Sequence, residues 1–378
     1  MSPIPFATIG TNWITHSFIA SAHSTSSWTL SAVYSRNAST ASTFCARYDS
    51  DSPSPITQHT SLASLAADPH ILAVYIASPN SLHYTHAAQM LAAGKHVILE
   101  KPSTSTLAEL AALFRLARAH GVFLLEAFRH LHEANFKLLK QSLGRIGTVT
   151  GASFTYAQFS SRYAQVLAGA DPPPNIFSLE MSGGCLVDLG VYCVAAAVEL
   201  FGEPDEAVYF PVRIATGADG GGHLVLEYND DKKNNNDNKS DDSTNNTPTG
   251  NTKAAPFPLH ISTSKIYTSS APSEIHGTLG TLTLPSITDI SSVTFFERAT
   301  GTTHELGVAR GDDVKGALNM REEALEFARI IQEGDAEAAE RLEELSKRVL
   351  KVTEGARRGC GVVFGVEREG GRKWGEGV

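Results

Sequence analysis

Charged and phenolic side chains occur in this sequence where strands end and helices begin. The motif Glu100-Lys101-Pro102 comes directly after the apolar run Val97-Ile98-Leu99. Open parallel sheets bind ligands at the carboxyl ends of their strands, so we expect this charged pair to contact a polar ligand. Asp188 and Tyr192 are four residues apart and would lie on one face of a helix. That spacing is common by chance, and the alternative is a helix start that Asp188 caps.

A second candidate site is the first turn between a strand and a helix, Gly10-Thr11-Asn12-Trp13-Ile14-Thr15. A dinucleotide-binding turn has the pattern G-x-G-x-x-G, which brings backbone N–H groups close to a pyrophosphate at the start of a helix. Only the first glycine, Gly10, is present. Because asparagine tolerates positive φ better than most residues, we expect Asn12 to replace the second glycine. By itself, this turn predicts no more than a strand followed by a helix.

The end of the second strand, Tyr34-Ser35-Arg36-Asn37, indicates which dinucleotide would bind. NAD-specific folds place Asp or Glu here to bind the ribose 2′-hydroxyl, whereas an arginine accommodates a 2′-phosphate. No acid is present, and Ser35 and Arg36 can offer a hydroxyl and a planar cation to that phosphate. In a dinucleotide-binding fold this strand end therefore predicts NADP, with NAD less favoured. The alternative is a solvated surface arginine.

Other polar residues are weaker candidates. Ser78-Pro79-Asn80 follows the third strand and His83 begins the next helix, which places both at the ligand-binding edge of a sheet. His96 is more typical of a packed strand residue. A metal ion could bind the group His130, His132 and Glu133, but its spacing is generic and we predict no metal site.

The first 125 residues alternate short apolar runs with stretches of helical period. Strands are predicted at 6–9, 28–34, 71–77, 96–99 and 122–125, and helices at 13–22, 81–93 and 106–120. Alternation of this density predicts an α/β fold with a doubly wound parallel sheet over residues 1–127.

Residues 128–378 have longer strands with fewer helices between them. Strands are predicted at 148–159, 207–214, 223–228, 259–267 and 278–284, followed by helices at 322–331 and 336–354. This texture predicts an α+β second domain with a mostly antiparallel open sheet. Residues 229–253 contain no apolar residue. They cannot bury surface to offset the entropy of ordering, so we predict a disordered loop between two strands.

Composition argues against several classes of protein. The chain of 378 residues has 31 basic and 40 acidic side chains and a pI of about 5.9, which is not the basic footprint of a nucleic-acid binder. We expect no apolar run of the ~20 residues that span a bilayer, and the first ten residues lack a secretory signal pattern. The four cysteines form neither a disulfide framework nor a zinc pattern. We therefore expect a cytoplasmic protein without nucleic-acid or membrane partners.

Together the motifs resemble the Gfo/Idh/MocA family of oxidoreductases, which includes glucose–fructose oxidoreductase and inositol dehydrogenase. The segments that carry the resemblance, in family order from residue 4 to about residue 332, are Ile9-Gly10-Thr11, Tyr75 to His83, Ala93 to Val97, Glu100-Lys101-Pro102, Ser160-Ser161-Arg162-Tyr163, Gly183 to Tyr192 and Gly277 to Leu282. Many relatives have histidine in place of Tyr192, and the tyrosine form is similar to dimeric dihydrodiol dehydrogenases and NADP-dependent xylose dehydrogenases. The chain departs from the family pattern at Asn12, at Thr15 and in the polar insertion.

The resemblance implies a Rossmann domain that binds NADP, a second domain that supports homodimer formation, and an active site between them. The residues implied to contact the cofactor are Gly10, Thr11, Asn12, Trp13, Ile14, Ser35, Arg36, Ser78, Pro79, Asn80, His83, Glu100 and Lys101. The implied reaction is hydride transfer between nicotinamide and a carbinol or carbonyl carbon of a sugar, polyol or dihydrodiol.

The same resemblance implies roles for the charged and phenolic residues. Tyr192 would be the acid/base, and an ammonium at Lys101 would tune it by lowering the pKa of the phenol. Asp188 would anchor a substrate hydroxyl, and Arg162 would line the pocket. In one alternative, Lys101 transfers the proton and Tyr192 orients the substrate. In another, the chain is a nucleotide-binding regulator of sugar metabolism with the same fold. Retention of all three residues, Lys101, Asp188 and Tyr192, favours an enzyme.

Overall fold

The computed structural model describes residues 2–48, 55–229, 255–308 and 318–368. Two sheets dominate these residues. The first has six strands and the second has eight.

All six strands of the first sheet are parallel and follow the order β3-β2-β1-β4-β5-β6. Their bounds are β1 Ile4–Ile9, β2 Trp28–Tyr34, β3 Thr57–His59, β4 Ala73–Ile76, β5 His96–Glu100 and β6 Leu124–Ala127. This is the doubly wound order that was predicted, and its switch point lies between β1 and β4. The strands run in parallel, so Gly10, Lys101 and the residues after β2 and β4 meet at one edge of the sheet.

Helices cover both faces of this sheet. They are α1 Trp13–Ser24, α2 Ala38–Cys45, α3 Leu62–Ala66, α4 His83–Ala92 and α5 Leu107–Ala119. Successive strand residues point to opposite faces, so Phe6 packs in the core beside α1 while Ala7 packs in the core beside α4 and α5. Helix α5 begins where Thr106 and Glu109 form a reciprocal capping box, which satisfies two backbone donors at the start of the helix.

Eight strands form the second sheet in the order β14-β13-β12-β11-β7-β10-β9-β8. Their bounds are β7 Val149–Ala157, β8 Glu206–Arg213, β9 Asp219–Tyr228, β10 Phe257–Ser264, β11 Ser273–Gly277, β12 Gly280–Leu284, β13 Thr294–Glu297 and β14 Thr302–Glu305. Only the β7–β10 pair is parallel among these described strands, which confirms the prediction of a mostly antiparallel sheet.

The remaining helices connect and cover the two sheets. They are α6 Arg129–His132, α7 Ala134–Ser142, α8 Tyr163–Leu167, α9 Val191–Phe201, α10 Arg321–Glu333 and α11 Ala336–Gly359. Helix α10 packs into the core of the first sheet through Ala324 and Phe327, and Trp28 Nε1 donates to the Ala324 carbonyl oxygen at 2.8 Å. The division of the chain at residue 128 stays a prediction, and α10 shows that the chain returns to the first sheet near its end.

Strand β3, helix α2 and one apolar segment differ from the sequence-based expectations. Strand β3 and helix α2 were not predicted, because three strand residues and a Ser/Thr-rich helix carry almost no hydrophobic period. The predicted disordered loop falls almost wholly on residues 230–254, which lie outside the described residues. The segment Leu179–Phe201 is apolar and long enough to cross a membrane by composition, contrary to our expectation. Of its apolar window 72% is buried inside the fold, since α9 is a core helix.

Candidate active site

Lys101 and Asp188 come together between the two sheets. Lys101 follows β5 directly, and Asp188 lies in a π-helical turn, Leu186–Gly190, that leads into α9. Lys101 Nζ donates to Asp188 Oδ1 at 3.0 Å and to the Asp188 carbonyl oxygen at 2.8 Å. Asp188 therefore does not cap the start of a helix, which was the alternative to a functional role. It bonds a lysine from the other domain.

A second lysine completes this cluster. Lys265 follows β10, and its Nζ lies 2.5 Å from Asp188 Oδ2. Its side chain is 2% exposed. The carboxylate of Asp188 thus lies between two ammonium groups, one from each domain. We refer to Lys101, Asp188 and Lys265 as the Lys–Asp–Lys cluster.

Tyr192 lies one helical turn after Asp188 and borders this cluster. Lys101 Nζ is 4.7 Å from the centroid of the Tyr192 ring, over its face rather than at its hydroxyl. Arg129 lies 6.0 Å from the same ring, and the Tyr156 ring packs edge-on at 5.6 Å. Among the described residues, none bonds the Tyr192 hydroxyl. His130 Nε2 lies 3.0 Å from the Tyr192 carbonyl oxygen, which fixes the start of α9.

The electrostatics of the site differ from the expectation for Tyr192. Burial raises the pKa of the Tyr192 phenol, and the lowering effect of Lys101 and Arg129 does not overcome it. Lys101 therefore acts on the pKa of Tyr192 in the predicted direction, but burial outweighs it. Tyr192 keeps its proton near neutral pH, so in this state its hydroxyl can act as a proton donor.

The two charged partners have well-defined protonation states. Burial alone would raise the pKa of Asp188, but the ammonium groups of Lys265 and Lys101 hold it well below its usual range. Burial alone would lower the pKa of Lys101, but Tyr192, Asp188 and Glu100 raise it above its usual value. Near neutral pH the site therefore presents a carboxylate bonded by ammonium groups beside a neutral phenol.

The first strand–helix turn has the geometry of a phosphate-binding turn at Gly10 but not at Asn12. Gly10 has φ +120°, and a Cβ atom there would lie 2.7 Å from the Ala77 carbonyl oxygen, so only glycine fits. Asn12 has φ −89°, which corrects our expectation that it takes positive φ. It caps α1 instead, since its Oδ1 accepts from the N–H groups of Ile14 and Thr15 at 3.1 and 3.2 Å.

The surroundings of this turn fit a dinucleotide. Thr11 lines a cavity of about 230 Å³ between α1 and α2, together with His16, Ser39, Thr40, Thr43, Phe44 and Arg47. Ser35 and Arg36 follow β2 directly, and the Arg36 side chain is exposed at the same edge of the sheet. The Trp13 indole is 61% exposed at the start of α1. Hydroxyl groups, cations and an open aromatic face are thus available where the phosphates and adenosine of NADP would be held.

Several predicted contacts instead hold the site together. His83 has one ring nitrogen 2.8 Å from the Ser78 carbonyl oxygen and the other 2.9 Å from that of Pro102, so it links the ends of β4 and β5. Asn80 Nδ2 donates to the Ser182 carbonyl oxygen at 3.0 Å, across the two domains. These contacts position the backbone around the site. Burial lowers the pKa of His83, so the neutral ring donates only one of its two contacts, and both of its nitrogens face carbonyl oxygens of the protein.

Glu100 is likewise engaged within the protein. Its Oε1 accepts from the Tyr75 hydroxyl at 2.6 Å, and its Oε2 accepts from the Lys101 N–H at 3.2 Å. Burial raises the pKa of Glu100, although Lys101 and Tyr75 act in the opposite direction. Glu100 thus fixes the backbone that carries Lys101.

Arg162 and the other histidines lie outside the Lys–Asp–Lys cluster. The Arg162 side chain is exposed just before α8. His96 stacks on Phe123 at the start of β5, the opposite end of that strand from Lys101, and its Nδ1 accepts from the Phe123 N–H at 3.0 Å. The interpretation of His96 as a packed strand residue is therefore confirmed.

No metal-ligating group of three His, Cys, Asp or Glu side chains occurs within the part of the chain that the structure describes. Glu133 Oε2 accepts from the Ile290 N–H at 3.0 Å, and His132 packs edge-on against Phe327. The three residues considered as a metal site thus have separate partners, and the absence of a metal stays a prediction.

Lys265 and Arg129 were not predicted from the sequence. Arg129 is buried beside Tyr192, where it bonds Asp289 at 3.0 and 3.1 Å. A signal for both existed, because each follows the end of a strand, as Lys101 does. Without the sheet topology, nothing indicated that the ends of β5, β6 and β10 face the same space.

Two family models match the chain. A model described as an oxidoreductase family with an NAD-binding Rossmann fold matches residues 4–128. A model described as the GFO/IDH/MocA C-terminal domain matches residues 140–247. The first match spans the first sheet, and the second spans β7 to β9 of the second sheet.

Named relatives and solved structures match over most of the chain. It is 36% identical over 361 residues, 96% of its length and 98% of the relative, to scyllo-inositol 2-dehydrogenase (NADP(+)) of Bacillus subtilis. It is 29% identical over 199 residues, 52% of its length and 56% of the relative, to trans-1,2-dihydrobenzene-1,2-diol dehydrogenase of Macaca fascicularis. A solved structure of a 3-ketoreductase from Actinomadura kijaniata with NADP superimposes with a TM-score of 0.71 at 21% identity, covering 94% of this chain and 97% of the other.

Proposed function

The chain belongs to the Gfo/Idh/MocA oxidoreductase family, and we propose that it is an NADP-dependent dehydrogenase or reductase that acts on a CH–OH group of a sugar, polyol or diol. The observation that carries the proposal is the approach of Lys101, from the first domain, to Asp188 and Tyr192, from the second. These three side chains lie at the edge of the sheet that carries the dinucleotide-binding turn, where a bound nicotinamide and a substrate would meet.

When bound, the cofactor accepts a hydride from the carbinol carbon of the substrate or supplies one to a carbonyl carbon. In reduction, Tyr192 donates its hydroxyl proton to the oxygen that develops negative charge. In oxidation, the Tyr192 oxygen accepts the proton from the substrate hydroxyl. The Lys101 ammonium stabilises negative charge on either oxygen, because the buried site screens it little. Asp188 orients Lys101 and offers its carboxylate oxygens to a second substrate hydroxyl.

The protonation states favour Tyr192 over Lys101 as the group that transfers the proton. Asp188 and its other neighbours raise the pKa of Lys101, so this amine keeps its proton under the conditions in which the protein works. Tyr192 has an unbonded hydroxyl among the described residues and a neighbouring cation that stabilises its phenolate. A charged Lys101 beside a neutral Tyr192 supports the division of roles implied by the resemblance.

The cofactor and substrate classes rest on the chain's own residues and on the names of its relatives. The end of β2 presents Ser35 and an exposed Arg36 with no acid, which supports NADP over NAD. The Bacillus relative's name specifies scyllo-inositol and NADP, and the macaque relative's name specifies a dihydrodiol. Vicinal hydroxyl groups are common to these substrates, and Asp188 and Tyr192 would bind two such groups.

We further propose that two copies associate through the outer face of the second sheet in a cytoplasmic enzyme. The outward-facing residues of β8 include Val208, Phe210 and Val212, and Phe210 is 60% exposed. A flat sheet face with exposed apolar side chains is typical of a homodimer interface. Sedimentation velocity of the parent chain and of Phe210→Asp tests this proposal, which predicts a dimer that the substitution converts to a monomer.

Activity assays distinguish the enzyme from a nucleotide-binding regulator. Aldoses, inositols and dihydrodiols are each assayed with NADP+ and with NAD+, and reduction of the cofactor is followed by the absorbance of the reduced nicotinamide. We expect turnover with at least one vicinal diol and a preference for NADP+. Tight NADPH binding without turnover of any substrate on this panel would favour the regulator.

A further inference from the structure

Lys265 is held rigidly against Asp188 from the second domain. Its Nζ lies 2.5 Å from Asp188 Oδ2 and 3.1 Å from the Ile176 carbonyl oxygen. The same ammonium lies 4.6 Å from the centroid of the Phe177 ring. Three partners surround a side chain that is 2% exposed, so it has no room to rotate away from the carboxylate.

The backbone of Lys265 is equally constrained. Its N–H donates to the Gly220 carbonyl oxygen at 2.8 Å, and its carbonyl oxygen accepts from the Ser160 N–H at 2.9 Å. These bonds continue the strand pairing past the ends of β7 and β10. They aim the lysine stem at the space between the two domains.

Charge in the cluster depends on this residue. Lys101 and Asp188 form an ion pair at 3.0 Å, and alone they would sum to zero charge. With the ammonium of Lys265 on the second carboxylate oxygen, the Lys–Asp–Lys cluster has a net charge of +1. Because the cluster is largely buried, counterions screen this charge only weakly.

Neighbouring charged groups do not supply an equivalent cation. The guanidinium of Arg129 bonds the carboxylate of Asp289, and it lies 3.4 Å from Glu133. The Glu100 carboxyl accepts from Tyr75, and burial raises its pKa. Lys265 is therefore the residue that decides whether Asp188 cancels the charge of Lys101.

We propose that Lys265 is a positioning residue that neutralises Asp188 and so leaves the positive charge of Lys101 available to the reaction centre. The inference rests on the proposed function, because that function places the nicotinamide near the cluster. Oxidised nicotinamide has a positive charge that the reduced ring lacks. A net positive cluster therefore disfavours bound NADP+ relative to bound NADPH.

The test is the ratio of the dissociation constants of NADP+ and NADPH, measured by titration without any substrate. Lys265→Met lowers the net charge by one unit and should decrease the ratio Kd(NADP+)/Kd(NADPH) by about ten- to thirtyfold, the size expected for one charge at ~8–12 Å and an effective dielectric constant of about 20. Asp188→Asn raises the charge by one unit and should increase the ratio by a similar factor. Lys265→Arg keeps the charge and should leave the ratio near that of the parent.

The double variant Lys265→Met/Asp188→Asn provides the decisive comparison. Its net charge equals that of the parent, so its ratio should return to within about twofold of the parent value if charge is the cause. Melting curves and NADPH affinity report whether each variant folds. If Lys265→Met does not fold, the single variants Asp188→Asn and Lys265→Arg still test whether the ratio follows the charge of the cluster.

Each outcome separates the inference from the proposed function. Equal weakening of both nucleotides by Lys265→Met, with an unchanged ratio, would show that Lys265 only supports the Ile176–Phe177 segment and would overturn the inference. A ratio in the double variant that stays at the Lys265→Met value would also overturn it. If the parent binds neither nucleotide, the proposed function fails, and the inference fails with it.

Discussion

The ammonium of Lys101 lies 4.7 Å from the centroid of the Tyr192 ring, although the two residues belong to different domains. Asp188 holds it there through two hydrogen bonds from Lys101 Nζ. The cation therefore stabilises the phenolate of Tyr192 without bonding its hydroxyl, which stays free for a substrate oxygen.

Tyr192→Phe should reduce turnover by about 10²–10⁴-fold, the usual range for loss of general acid–base help. Only a hydroxyl without a partner among the described residues is removed, so the melting temperature and NADPH affinity should stay near the parent values. Steady-state kinetics on a confirmed substrate give the measurement. Tyr228→Phe removes another buried hydroxyl that has no partner within the described part of the chain, far from the cluster, and should leave turnover unchanged. Unchanged turnover in Tyr192→Phe, with hydride transfer shown to limit the rate, would assign the proton transfer to Lys101.

Lys101→Met should move the pH profile of oxidation to higher pH and lower turnover. Oxidation needs the Tyr192 phenolate, so turnover rises as pH passes the pKa of this phenol. Lys101 lowers that pKa and burial raises it, so removal of Lys101 should raise the pKa further. The pH dependence of turnover in the remaining activity measures the shift. Lys140→Met, at an exposed ion pair with Glu199, is the control and should keep the parent profile. A profile that stays in place in Lys101→Met would contradict the role of this cation.

Arg36→Ala should raise the KM for NADP+ and leave the KM for NAD+ nearly untouched. The exposed guanidinium after β2 is placed to bind the 2′-phosphate, a group that only NADP+ has. Kinetics with both cofactors give the comparison. Arg115→Ala removes an exposed arginine of α5 and should change neither constant. Equal losses with NADP+ and NAD+ would remove Arg36 from the 2′-phosphate site.

Gly10→Ala should destabilise the fold by about 1–3 kcal/mol and weaken nucleotide binding. The new Cβ would lie 2.7 Å from the Ala77 carbonyl oxygen in a backbone with φ +120°. Gly94→Ala is a matched control, since Gly94 also has positive φ, +73°, but a Cβ there meets nothing within 4 Å. Thermal unfolding and NADPH titration compare the two variants. Retention of parent affinity by Gly10→Ala would exclude this turn from the nucleotide site.

Replacement of residues 229–253 by a short Gly-Ser turn should leave the melting temperature and turnover close to those of the parent. The two strands that flank the segment, β9 and β10, already pair with each other at its base. Tyr228 pairs with Phe257 there, and their rings stack at 4.9 Å. Loop closure also depends only weakly on length. Calorimetry and the diol assay measure the effect, and a large loss of either property would show that the segment packs or binds something.

Local patterns in the sequence predicted most elements of the first sheet and much of the chemistry of the site. The helical period before Gly121, the apolar runs of β4 and β5 and the charged pair after β5 are local patterns, so they predicted the doubly wound sheet and Lys101. The motif that ends in Asp188 and Tyr192 is also local. Its residue types predicted the polar site before any contact was known.

Which of these groups meet, and which protonation state each has, depends on how distant parts of the chain pack together. Lys265 is 77 residues from Asp188 in the chain, and no local pattern joins them. The parallel pairing of β7 with β10 and the packing of α9 bring them together. The negative φ of Asn12 and the raised pKa of Tyr192 were also not predicted. A capping bond depends on the path of the turn, and a pKa depends on burial and on every charge nearby, which are long-range properties of the packed chain.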